Sequence, residues 1–71
     1  MNKKEAKKVL GLEGQRITKS FALRELLKQQ HFMSERKYHP KHIADVDNLK
    51  REIEIRRADE EVRRAWEVLA E

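Results

Sequence analysis

A small, mostly α-helical domain is the fold class this chain predicts, on three observations. Its apolar residues recur at three- and four-residue steps. Gly11 and Pro40 fall where those periodic stretches end or begin. From His42 onward there is no glycine or proline at all, so nothing in that stretch interrupts a helix. The expected architecture is a single domain over residues 1–71, with three helices, the last one long. Seventy-one residues bury a limited fraction of their surface, and there is no cysteine to form a disulfide or a thiolate metal site. Helix packing, a partner or self-association must therefore supply the stability.

The elements follow in order. Asn2, with Glu5 three residues later, makes a helix start in which each side chain can satisfy open backbone N–H groups. Ala6, Val9 and Leu10 share a face of that helix, placed at about residues 3–10, and Gly11 suits the left-handed cap that ends it. A short connection, Leu12 to Arg16, leads to a second helix capped by Thr18 or Ser20. Ile17, Phe21, Leu23, Leu26 and Leu27 supply its apolar face, and it should run to about Gln30. Over residues 31–38 the helical stripe loses definition, and a tight turn, a short β-hairpin or a frayed helix end fits. Pro40 disfavours helix at His39 and suits the first turn of the next helix. There, Ile43, Val46, Leu49 and Ile53 form one stripe, while Ile55, Ala58, Val62, Ala65 and Leu69, widened by Trp66, form a second. The two are offset, which a long helix accommodates by shifting its contact face.

Charge divides the chain at Tyr38 to Lys41. Residues 1–41 hold 11 Lys/Arg against 4 Asp/Glu, a balance of +7, and residues 42–71 hold 6 against 9, a balance of −3. The first part is expected to bind and the second to pack or dimerise. Arg16, Lys19, Arg24, Lys28, Arg36, Lys37 and Lys41 form the candidate basic surface. Clustered cations of this kind bind polyanions by neutralising phosphate charge and releasing counterions, although most Lys/Arg runs are solvated helix faces. Ile55, Val62, Trp66 and Leu69 are the candidate partner or dimer seam, with packing against the first two helices as the plainer use of the same stripe.

Other chemistry has little support. His39 and His42 are three apart, but Pro40 interrupts the geometry and no cysteine completes a zinc shell, so no metal site is expected. Gly11 and Gly14 fit no phosphate loop, and Ser20 and Ser34 have no visible base, so no catalytic residue, cofactor or small-molecule substrate is assigned. No run approaches the roughly 20 apolar residues of a membrane span. The first residues also lack an apolar signal core, and together these features read as cytoplasmic.

Two family resemblances bear on these residues. Asn2 to Leu12, together with Tyr38-His39-Pro40-Lys41-His42-Ile43 and the following Val46 and Leu49, resembles the winged helix-turn-helix of the MerR, excisionase and phage terminase small-subunit type. That resemblance implies DNA facing Arg16, Lys19 and Arg24 from the second helix, with Arg36, Lys37 and Lys41 on a wing. It covers roughly residues 2–50, and Gly14 sits where the recognition helix usually begins.

Val9-Leu10-Gly11-Leu12, Lys37-Tyr38-His39-Pro40 and Ala65-Trp66-Glu67-Val68-Leu69-Ala70-Glu71 are similar, in the right order, to the J domain that stimulates DnaK-type chaperones. Against that pattern, Lys41 replaces the aspartate of the His-Pro-Asp motif. Both spacers are longer, and Asp59 falls where a core aromatic is expected. This resemblance implies a helical interaction module without chaperone-stimulating activity.

The sequence thus leads first to a small DNA-binding protein, with a helix in the major groove and a wing-like segment on phosphates, and with a homodimer reading two half-sites. The rival is a J-like module that binds a protein through its basic helix. The conformation of residues 31–38 separates them, since a hairpin favours DNA and continuous helix favours the rival. On either reading the Ile55–Leu69 stripe is apolar and covered. Val62→Asp is therefore expected to unfold a monomer or dissociate a dimer, and an unchanged melting temperature and solution mass would refute that placement.

Overall fold

The structure, a computed structural model, describes residues 1–36 and 46–71. Three helices account for most of them: α1 (Lys3–Val9), α2 (Lys19–Glu35) and α3 (Val46–Ala70), with no strand among the described residues. The expected mostly helical domain with a long last helix is what forms.

Local chemistry explains the ends of the first two helices. The Asn2 side chain accepts a hydrogen bond from the Glu5 N–H at 2.8 Å, closing the start of α1. At the other end Leu10 is the cap, and Gly11 takes a left-handed φ of 69°. That turn lets the Gly11 N–H reach the Lys8 carbonyl and the Leu12 N–H reach the Lys7 carbonyl, so two otherwise open carbonyls are satisfied. Thr18, the first of the two expected caps, accepts from the Phe21 N–H at 3.2 Å and starts α2.

α2 runs five residues past the expected end near Gln30: nothing from Gln30 to Glu35 forbids helix, and Asp59 holds Gln29 and Arg36 on either side of that stretch. The wing expected over residues 31–38 therefore finds its first five residues in the last turns of α2, and Arg36 is the cap. Lys37 and Tyr38 lie outside the described residues. So does the helix start expected at Pro40.

α3 is the spine, since α1 and α2 each pack on it far more than on one another. Phe21 meets the ring of Trp66, while Gln29 and Arg36 both bond Asp59, so α2 and α3 run antiparallel. The core at their junction is built on alanines. Ala6, Ala22 and Ala65 are fully buried and cluster with Leu69, and Val9, Leu10, Ile17, Trp66, Val68 and Ala70 pack around them. Leu26 is also buried, and among the described residues no large side chain is completely enclosed.

This core corrects the expected face of α2. Leu23 and Leu27 are 51% and 59% exposed, and Phe21 is 45% exposed, whereas Ala22 and Leu26 are buried. The apolar residues of α2 cover a wider arc than one neighbouring helix can hide. The contact goes to the arc whose small Ala22 lets α3 come close. In α3 the second stripe behaves as packing rather than as a free seam. Leu69 is buried, and Ile55, Val62 and Trp66 are half-buried on the same side of the helix. Ala58 is exposed, and Asp59 instead turns toward α2.

A side chain larger than a methyl at the alanine junction has nowhere to go. Ala65→Leu should lower stability by about 1–3 kcal/mol through overpacking, with helical content retained. Urea titration followed by circular dichroism measures both quantities, and an unchanged midpoint would refute the junction.

Candidate protein-interaction surface

Two groups of side chains on α2 define the candidate surface, and they do different jobs. The first sits at the end of the helix. Asp59, whose side chain is 16% exposed, accepts from the Arg36 guanidinium at 3.1 Å. Its backbone carbonyl accepts from the Gln29 side-chain amide at 3.2 Å. The same guanidinium lies over the Phe32 ring, 5.7 Å from its centroid. Arg36 also donates its backbone N–H to the Phe32 carbonyl. These contacts tie the last turn of α2 to the middle of α3. Arg36, expected on a polyanion surface, is spent on holding the helix pair together.

The second group is the outward face of α2. Lys19, Leu23, Arg24, Leu27 and Lys28 are all exposed, and Arg16 is exposed just before the helix. Leu23 and Leu27 are four residues apart, so their side chains are neighbours; Arg24 and Lys28 form a second row beside them. Lys28 is partly neutralised by Glu25 at 3.3 Å, a pair that is largely solvated on the lysine side. His31 faces Glu35 at 4.0 Å further along. The outcome is a strip with an apolar row that Lys19 heads and Arg24 and Lys28 flank on one side, and it spans about 14 Å from Lys19 to Lys28 at the rise of an α-helix.

Of the seven expected basic residues, Arg16, Lys19, Arg24 and Lys28 are exposed on or next to α2, and Arg36 is engaged with Asp59. Lys37 and Lys41 lie outside the described residues, as do His39 and His42. The residues that sequence reading missed are Leu23 and Leu27, assigned to the core because they are leucines. Their position to one side of the Ala22–Leu26 line was the available signal.

The described residues hold no group of three or more His, Cys, Asp or Glu side chains placed to share a metal ion. No helix among them is long and apolar enough to cross a membrane. An open cavity of about 380 Å³ is lined by Met1, Arg57, Glu60, Glu61, Arg63 and Arg64, with no nucleophile beside a base. The surface is suited to binding a charged, partly apolar segment. Comparisons with protein-family models, curated proteins and solved structures find no match in any of the three.

If Asp59 holds the end of α2, Asp59→Ala should cost about 1–3 kcal/mol, because it leaves a part-buried guanidinium without its carboxylate. It should also speed amide exchange at Ser34–Arg36 more than in α1. Uniform exchange across the helices would show that the contact is incidental.

Proposed function

We propose that this chain is a non-enzymatic protein-interaction module, a J-like helical hairpin in which the exposed face of α2 engages an acidic, apolar-faced segment of a partner protein. The observation that carries this reading is the course of α2. It stays helical through Glu35 and lies antiparallel on α3. A continuous helix over residues 31–35 is what the J-like alternative requires and what a wing does not.

The arrangement of α1 supports the same reading. A helix-turn-helix packs its first two helices on each other across a turn of 3–4 residues. Here residues 10–18 separate α1 from α2, and α1 packs on α3 instead. Two departures from the J pattern also acquire a physical account. Asp59, in the place of an aromatic, exchanges an apolar contact for the ion pair with Arg36. Lys41, in the place of aspartate, reverses the charge on which chaperone contact depends, so the proposed module binds without stimulating a chaperone ATPase.

The row Leu23–Leu27 gives such a partner an apolar anchor, and Arg24, Lys28 and Lys19 complement acidic flanks. Duplex DNA remains the second reading, because Arg16, Lys19 and Arg24 are exposed cations on or beside one helix. The apolar row beside them is a poor match to a phosphate backbone, which offers it no contact.

The test is a titration with an amphipathic peptide carrying paired leucines and flanking glutamates, alongside mixed-sequence duplex at low and moderate salt. Peptide binding is expected. It should weaken by about tenfold with Leu27→Asp and by a few fold with Arg24→Glu, with the melting temperature unchanged. Salt-dependent duplex binding that Arg24→Glu abolishes, with no peptide binding, would overturn the proposal in favour of DNA. In a DnaK-type ATPase assay the chain is expected to be inert, and stimulation by the unaltered chain would remove Lys41 from the account.

A further inference from the structure

α2 is tied to α3 at Asp59 through both Gln29 and Arg36, and α2 runs on past Gln29 to Glu35. Ahead of Asp59, residues 46–58 form an arm of α3, about 20 Å of helix at 1.5 Å per residue. Along this arm Val46, Leu49 and Ile53 are 64%, 38% and 43% exposed. They are spaced three and four residues apart, so they form one stripe. That stripe lies on the side of α3 roughly opposite Ala65 and Leu69, which explains why the two apolar stripes of the sequence are offset. The arm thus presents an apolar row that the other described residues leave uncovered.

We propose that this row is the seam for a second copy of the chain, with the two α3 arms parallel and in register. Three features of the arm favour that occupant. First, Val46, Leu49 and Ile53 occupy alternate inner positions of a heptad in the order β-branched, leucine, β-branched, which is the pattern favouring parallel two-stranded pairing. Second, the flanks carry opposite charge. Glu52 lies on one edge of the stripe, and Lys50 and Arg57 lie on the other. In a parallel pair, unlike edges meet, so Glu52 of each copy approaches Arg57 of the other. An antiparallel pair sets like edges together, Glu52 against Glu52 and the cationic edge against itself. Third, the seam has a defined end. Past Ile53 the same side of α3 presents Arg56 and Glu60, an ion pair at 3.4 Å, and then Arg63 and Glu67 at 2.9 Å. Apposing this charged stretch with its own copy would set like charges in contact, so pairing is confined to the arm. The proposal concerns a different helix from the α2 surface and does not depend on how that surface is used.

Sedimentation of the unaltered chain over a wide concentration range is expected to show a monomer–dimer equilibrium. Leu49→Lys should weaken the dimer by more than about tenfold, since it places a charge from each copy in the seam. Its helical content should be unchanged, because Leu49 is outside the core. Glu52→Arg and Arg57→Glu should each weaken the dimer a few fold, and the double reversal should restore it. For direction, Val46→Cys should form an intermolecular disulfide on mild oxidation, since only a parallel pair brings the two copies of that position together. A chain that stays monomeric at every concentration overturns the proposal and leaves the row to an unlike partner. A dimer indifferent to Leu49→Lys overturns it by placing the contact elsewhere. Failure of the Val46→Cys link in a dimer that Leu49→Lys disrupts overturns the parallel arrangement.

Discussion

The contact on which the rest depends is the junction of three alanines. Ala6, Ala22 and Ala65 are fully buried, one from each helix. Small side chains let helix axes approach closely, and close approach brings long side chains on either side into van der Waals contact. Val9, Leu10, Ile17, Trp66 and Leu69 gather around the junction for that reason. Replacing burial of large residues by proximity of small ones suits a chain with few aromatic residues. It also sets a thin margin, because no large side chain among the described residues is fully removed from water.

A second constraint acts at the opposite end of the helix pair. The Arg36–Asp59 contact lies more than two turns of α2 from Leu26, and Gln29 ties the same stretch of α3 from the side. Between the alanine junction and this polar lock, α2 is held at both ends by contacts of different character. Its outer face contributes to neither. That leaves Leu23, Leu27, Arg24 and Lys28 available for a partner without conflict with the fold.

Much of this was legible in the residues. Asn2, Gly11 and Thr18 act where their chemistry places them, because caps are local and depend on a few neighbours. The long α3 follows from the absence of any breaking residue. What was not legible is which arc of a helix faces inward when apolar residues occupy several arcs. On α2, Leu23 and Leu27 outweigh Ala22 on any hydrophobic scale, yet Ala22 is inside, because the choice is made by the fit of the neighbouring helix. The end of α2 was misjudged for a related reason. Residues 31–36 look weakly helical in isolation, and their helix is held by Asp59, 23 residues beyond Arg36. The exposed basic set shrank likewise, since Arg36 has a partner that only the tertiary fold provides.

The placement of α1 also sets an order of events during synthesis. α1 is made before α3, yet it packs on α3, and its buried Ala6 sits in the cluster of Ala65 and Leu69. α3 must emerge as far as Leu69 before α1 has that surface to dock on. A seven-residue helix is far below the length that persists alone in water, so until then α1 is unformed. The α2–α3 pair can assemble first, at lower loop-closure cost, and docking of α1 then closes the largest loop in the molecule. Docking of α1 is therefore the late step, dependent on Ala65 and Leu69 in the last turns of α3.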